Sequence, residues 1–321
     1  MSRALCGLAA TLVLALAGAR ASPQTPSEPA VCPPPASPVT TEQLRAEGRV
    51  PRDRGFLWRI TRDGRTSYLY GTLHIARRHW MAPGPQLERA IGAADTVALE
   101  LDMLDADVRR RLAAAMARDE AEPLAPAIAK RLRAQLDAAC LPPATLQAIA
   151  PLVQLAALTT LAARRDGLDP AYAVDVLLAG QARELGKTVV SLESPEMQIA
   201  MLLGDPASRP DALDSGLRQL EDGQSRPMLV RIAEVWDDGR SDELERYQQW
   251  CGCAETEADR AQLRRLLDDR NPALAQRIDA YHAAGHSVLA AVGALHMVGP
   301  RGLPALMAAR GFEVQRVAFE R

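Results

Sequence analysis

Lysine is almost missing from this chain. Among 38 basic residues in 321, only Lys130 and Lys187 are lysines, and the rest are arginines. No run of basic residues stands out against 40 acidic ones, and the formal charge is −2. A phosphate backbone is met by clustered positive charge, so the balance argues against a nucleic-acid partner. Long apolar runs are missing too. The longest spans residues 5–16, about a dozen, short of the ~20 that a membrane-spanning helix needs. There is no Gly-x-Ser-x-Gly nucleophile elbow, no Walker loop and no His-Glu-x-x-His helix. Each of those motifs would have named a reaction class by itself.

What is present describes an exported globular protein. The chain is 48% apolar and 24% charged, enough for a sizeable core. Arg3, the apolar run and Ala19-Arg20-Ala21 have the form of a cleaved secretory signal over residues 1–21, with a retained membrane anchor as the rival reading. The mature chain is then periplasmic or secreted, without a membrane span. Residues 22–40 are rich in proline and read as an extended linker, and the folded domain is expected over residues 41–321. Cys32, Cys140, Cys251 and Cys253 remain after signal removal. In an oxidising compartment they predict at least one disulfide, using Cys140 or the Cys251/Cys253 pair. A soft-metal or redox role for Cys251-Gly252-Cys253 is the alternative.

Two aromatic and aliphatic runs, residues 56–60 and 67–70, flank Asp63-Gly64 and predict a β-hairpin. Further strands are expected at residues 96–101, 188–192, 288–292 and 313–319. Helices are expected at residues 85–94, 171–185 and 301–310, the last two closed by Gly186 and Gly311. Residues 105–164 and 194–284 carry helical spacing and no convincing strand. The pattern predicts an α/β fold with a mixed central sheet, flanking helices and a large helical insertion.

The chemistry-bearing residues cluster at predicted strand ends. Gly71-Thr72-Leu73-His74 and Gly293-Ala294-Leu295-His296 each follow an apolar strand, which puts paired Gly-x-x-His motifs on neighbouring strand ends. Glu100 and Asp102 close the third strand, on one face by alternation, and Glu193 closes the fourth. A carboxylate in such surroundings has to be paired, hydrogen-bonded or bound to a cation. Glu193 is read either as a ligand or as a structural carboxylate, capping the helix that starts at Ser194-Pro195-Glu196 or pairing with a buried arginine. Two imidazoles with one or two carboxylates suit a divalent ion, Zn, Mn, Co or Fe. Asn271 before Pro272 reads as a helix N-cap, with Arg270 outside the helix, free to clamp a carboxylate or an oxyanion. His282 and His286, four apart around Gly285, form a weaker metal pair, and His79 has no such context.

In this order, Gly71-Thr72-Leu73-His74, Glu100-x-Asp102, Leu192-Glu193-Ser194 with Gln198, Arg270-Asn271 and Ala291-Val292-Gly293-Ala294-Leu295-His296-Met297-Val298-Gly299 resemble the TraB/GumN family. That family is similar to the Tiki proteases and, more distantly, to erythromycin esterases and haem-binding ChaN. The resemblance implies a metal-dependent hydrolase of peptide or ester bonds. Its ligands would be His74, Glu100 and His296, with Asp102 and Glu193 as further candidates. Glu100, Arg270 and Asn271 would serve catalysis, on a peptide or small-molecule substrate. A non-catalytic protein that binds a peptide signal or haem is the alternative, as is an accessory role in export or polysaccharide production.

Overall fold

The computed structural model describes residues 32–319, apart from 35, 38, 48–49, 119–123 and 255. The expected signal at residues 1–21, and residues 22–31 of the expected linker, lie outside the described residues.

Eight strands follow in chain order: β1 (Phe56–Arg62), β2 (Arg65–Thr72), β3 (Ala76–Arg77), β4 (Thr96–Leu99), β5 (Leu168–Asp169), β6 (Thr188–Ser191), β7 (Val288–Gly293) and β8 (Glu313–Arg316). Six form one sheet in the order β6-β4-β7-β2-β1-β8, and β3 and β5 make a separate two-residue ladder. β6, β4, β7 and β2 run parallel, while β1 is antiparallel to both of its neighbours. The sheet is therefore mixed, as expected.

Local chemistry accounts for the framework. Asp63 and Gly64 sit at φ 53° and 72° between β1 and β2, the left-handed pair that a tight hairpin turn requires. β7 is central, and Val288 through Val292 are at most 1% exposed. A parallel strand covered on both faces reads as a continuous apolar run, which is why this segment shows no alternation. The helix Val174–Glu184 packs on β4 and β6, and the helix Asn271–Ala283 packs on β7. Helices Pro126–Ala138, Pro151–Leu161 and Arg209–Glu221 share a leucine cluster of their own, built from Leu132, Leu136, Leu155, Leu158, Leu213 and Leu217. This is the helical insertion.

Several expected elements are trimmed. The third strand stops at Leu99 and the last at Arg316. The β3–β5 ladder has two residues per strand, too short to leave a periodic signal. Residues 32–40 are less free than their proline content suggests. Cys32 is disulfide-bonded to Cys140, and the Ser37 amide donates to Tyr172 Oη at 3.2 Å. Proline content reports local chain preference and is blind to such tertiary ties. A second disulfide joins Cys251 and Cys253, which takes that pair out of the metal-ligand reading in this oxidised state. No helix among the described residues is long and apolar enough to cross a membrane.

Candidate functional site

The carboxyl ends of the four parallel strands lie side by side. Glu193 follows β6, Glu100 follows β4, His296 follows β7 and His74 follows β2, in that spatial order. With strands ~4.8 Å apart the row is about 14 Å long. In open α/β sheets ligands bind at this edge, outside the carboxyl ends of the strands.

Arg270 ties three of these groups together. Its Nε donates to Glu193 Oε1 at 3.0 Å, and its Nη2 donates to both Glu193 Oε2 and Glu100 Oε2. Nη1 donates to the Leu266 carbonyl at 3.0 Å and faces His296 Nε2 at 3.2 Å. The remaining Glu100 oxygen accepts the Gly293 N–H at 2.7 Å. A Cβ at Gly293 would lie 3.1 Å from that same oxygen, so the glycine leaves room for the bond. The Gln198 amide bridges the two carboxylates, at 3.2 Å from Glu100 and 2.8 Å from Glu193.

The electrostatics follow from this packing. Burial opposes the charge on Glu100, but the cationic groups around it and the Gly293 N–H outweigh burial and hold its carboxyl down at about 2. Burial likewise opposes the charge on Arg270, and Glu193 and Glu100 overcome it, so the guanidinium stays above its ordinary value. For His296 burial dominates and lowers the ring to about 4, which leaves it neutral at neutral pH.

His74 differs from its twin. Its side chain is 61% exposed, and Nδ1 lies 3.3 Å from Asp175 Oδ2. The Asp175 charge outweighs desolvation and raises His74 to about 9; Glu100 adds to the rise and Arg270 opposes it. Two backbone contacts position the dyad. Trp236 Nε1 donates to the Gly71 carbonyl at 2.7 Å, and the Val174 N–H donates to the Leu73 carbonyl at 3.0 Å, which brings Asp175 beside His74.

Glu100, Glu193, Arg270, Asn271 and His296 thus form one hydrogen-bonded group, with His74 close enough to respond to it. Asp102 is elsewhere in its bonding. It pairs with Arg183 and accepts from the Leu104 N–H at 3.1 Å, because the strand ends at Leu99 and the alternation does not extend to residue 102. Asn271 is not the N-cap: Arg270 takes that position, and the Asn271 side chain holds His296. Glu193 is not a cap, since Ser194 caps the following helix by accepting from the Met197 N–H; it is the partner of the buried Arg270. His282 is a core residue, bonded to Ser67 Oγ at 2.9 Å and stacked edge-on against Phe312. His286 pairs with Asp95. Asp175 escaped sequence reasoning. Its only signal is an acidic residue between Val174 and Val176, which reads equally well as ordinary helix-start charge. A cavity of about 830 Å³ lies in the helical insertion, lined by Leu124, Ile128, Leu203 and Leu213 among others, and contains none of these polar residues.

The sequence matches the profile of the TraB/PrgY/gumN family over residues 56–316, which contain every residue of this group. The chain belongs to the TraB/PrgY/gumN family. No curated protein and no solved structure matches it. The divalent ion expected of a TraB/GumN-like chain can be tested against the donor set. Among the described residues, no three His, Cys, Asp or Glu side chains are grouped to hold a metal. The lone pairs of Glu193, Glu100 Oε2 and His296 Nε2 are taken up by the Arg270 guanidinium. While Arg270 is in place, the residues do not fit a divalent ion.

Proposed function

We propose that this chain is an exported hydrolase of peptide or ester bonds, working at the carboxyl ends of β2, β4, β6 and β7. The observation that carries the reading is the exposed His74 ring backed by Asp175. A carboxylate on Nδ1 leaves Nε2 facing solvent, the orientation in which an imidazole exchanges protons with a substrate. With Asp175 holding it up at about 9, His74 carries its proton at neutral pH. It then donates the Nε2 hydrogen bond to the substrate carbonyl oxygen, which makes the carbon easier for water to attack. Collapse of the adduct passes that proton to the departing amine or alkoxide, and the proton released by the added water restores His74. The two disulfides and the amino-terminal sequence pattern support export.

The test is a screen of purified mature protein against peptide and ester substrates, repeated with His74→Gln and Asp175→Asn. His74→Gln is expected to lower turnover by about 10²–10⁴. Wild-type activity should fall as pH rises through about 9, and Asp175→Asn should move that limb down towards the ordinary histidine value near 6.5. A limb that stays in place in Asp175→Asn removes the dyad from the mechanism. Tight binding of a peptide or haem without turnover would favour the binding-protein alternative.

A further inference from the structure

We propose that Arg270 is the resident cation of this site, standing where a histidine–carboxylate centre would hold a divalent ion. The chain then binds no such ion while the guanidinium is present, and replacing the guanidinium creates a metal site.

The donor count argues for this. A guanidinium has five N–H bonds in a fixed fork, and each one here has an acceptor: two oxygens of Glu193, one of Glu100, the Leu266 carbonyl and His296 Nε2. Glu100 Oε2 and Glu193 Oε2 converge on one nitrogen, Nη2, so a single ion placed there would meet both carboxylates. His296 approaches the neighbouring Nη1. Its tautomer is set from behind. The Asn271 amide nitrogen donates to the Arg301 carbonyl at 2.8 Å, which turns Oδ1 towards His296 Nδ1 at 2.6 Å. Nδ1 therefore carries the proton and the Nε2 lone pair points at Arg270. An acceptor behind the ring and a lone pair in front is how metal-binding histidines are oriented.

Charge points the same way. The two carboxylates are bridged by one guanidinium whose side chain is 12% exposed. A divalent ion added beside it would set like charges together in a poorly solvated pocket and compete for lone pairs already in use. The same three groups without the guanidinium are two carboxylates and an oriented imidazole, a set suited to Zn²⁺, Mn²⁺ or Co²⁺.

The inference rests on the functional reading only for where the site lies, and its test uses no turnover. Full-length mature protein, Arg270→Met, Arg270→Lys and Arg270→Met/Glu100→Gln are stripped with chelator and titrated with Mn²⁺, Zn²⁺ and Co²⁺ by calorimetry, with bound metal counted by elemental analysis. Arg270→Met is expected to take up one equivalent at least a hundredfold more tightly than wild type. Arg270→Lys, which keeps the charge, should not, and Glu100→Gln should abolish the gain. Arg270→Met binding no tighter than wild type would overturn the proposal. If that variant does not fold, the wild-type chain decides. One tightly bound equivalent that is lost in Glu100→Gln means that metal and Arg270 coexist, and the proposal fails even if the hydrolase reading stands.

Discussion

Asn271 Oδ1 lies 2.6 Å from His296 Nδ1, and both side chains are almost wholly buried. A short polar residue at the start of a helix would ordinarily bond to that helix's own free N–H groups. Here it is turned away from them, and its two ends join the Arg301 carbonyl to the imidazole. The pair links the helix Asn271–Ala283 to the turn after β7.

Truncation of Asn271 should therefore act on His296. Asn271→Ala leaves a buried imidazole N–H without an acceptor and is expected to cost about 1–3 kcal/mol of stability. Asn271→Asp supplies an acceptor with a negative charge, so His296 should titrate above its present value of about 4. Urea unfolding measures the first effect and an NMR titration of the ring measures the second. An unchanged His296 titration in Asn271→Asp would place the contact outside the protonation chemistry.

Acid sensitivity should come in two stages with assigned residues. His296 is lowered from 6.5 to about 4, so between those values the unfolded chain binds a proton that the folded chain refuses. Stability at this group is complete above 6.5 and falls as pH drops towards 4. The size is on the order of 3 kcal/mol. Glu100 is lowered from 4.5 to about 2, so its contribution is present above 4.5 and is lost as pH falls towards 2. His296→Gln should flatten the upper stage and also shrink the lower one, because the charge on His296 is foremost among the influences that hold Glu100 down. Urea midpoints measured from pH 7 to pH 3 give both slopes, and an upper stage that persists in His296→Gln would assign it to another group.

The two disulfides should differ in weight. Cys32–Cys140 has a sequence separation of 108, whereas Cys251–Cys253 has a separation of 2. Loop-closure entropy gives about 5 kcal/mol for the long loop and about 1.6 kcal/mol for the short one. Cys32→Ser/Cys140→Ser should therefore lower the melting temperature far more than Cys251→Ser/Cys253→Ser. Equal losses would show that the short bridge acts through its local structure.

The sequence discloses most where local rules and tertiary demands agree. Asp63-Gly64 suits a tight turn and makes one, and the apolar run of β7 announces a strand covered on both faces. The repeated Gly-x-Leu-His places both histidines at strand ends, on β2 and β7, which pair directly through Gly71 and Val292. Reading fails where a distant group outbids a local one. Asn271 has the makings of a cap but is recruited by His296. Asp102 sits on the expected face only if the strand continues, and it does not. Asp175 becomes a partner of His74 through the bond between Val174 and Leu73, a contact that no spacing along the chain encodes.

The position of β7 has a consequence for how the chain matures. β7 lies between β4 and β2, yet it begins at Val288, after both have long been made. A growing chain that stops short of it holds the β1–β2 hairpin and the β4–β6 pair as two fragments with no shared edge. Inserting β7 joins the fragments and, in the same event, delivers the Gly293 N–H to Glu100 and His296 to Arg270. Such long-range parallel pairing is slow to form. The carboxylate cluster is therefore completed by the last central strand to be synthesised, and any fragment ending before residue 288 lacks the Gly293 and His296 contacts however well its helices form.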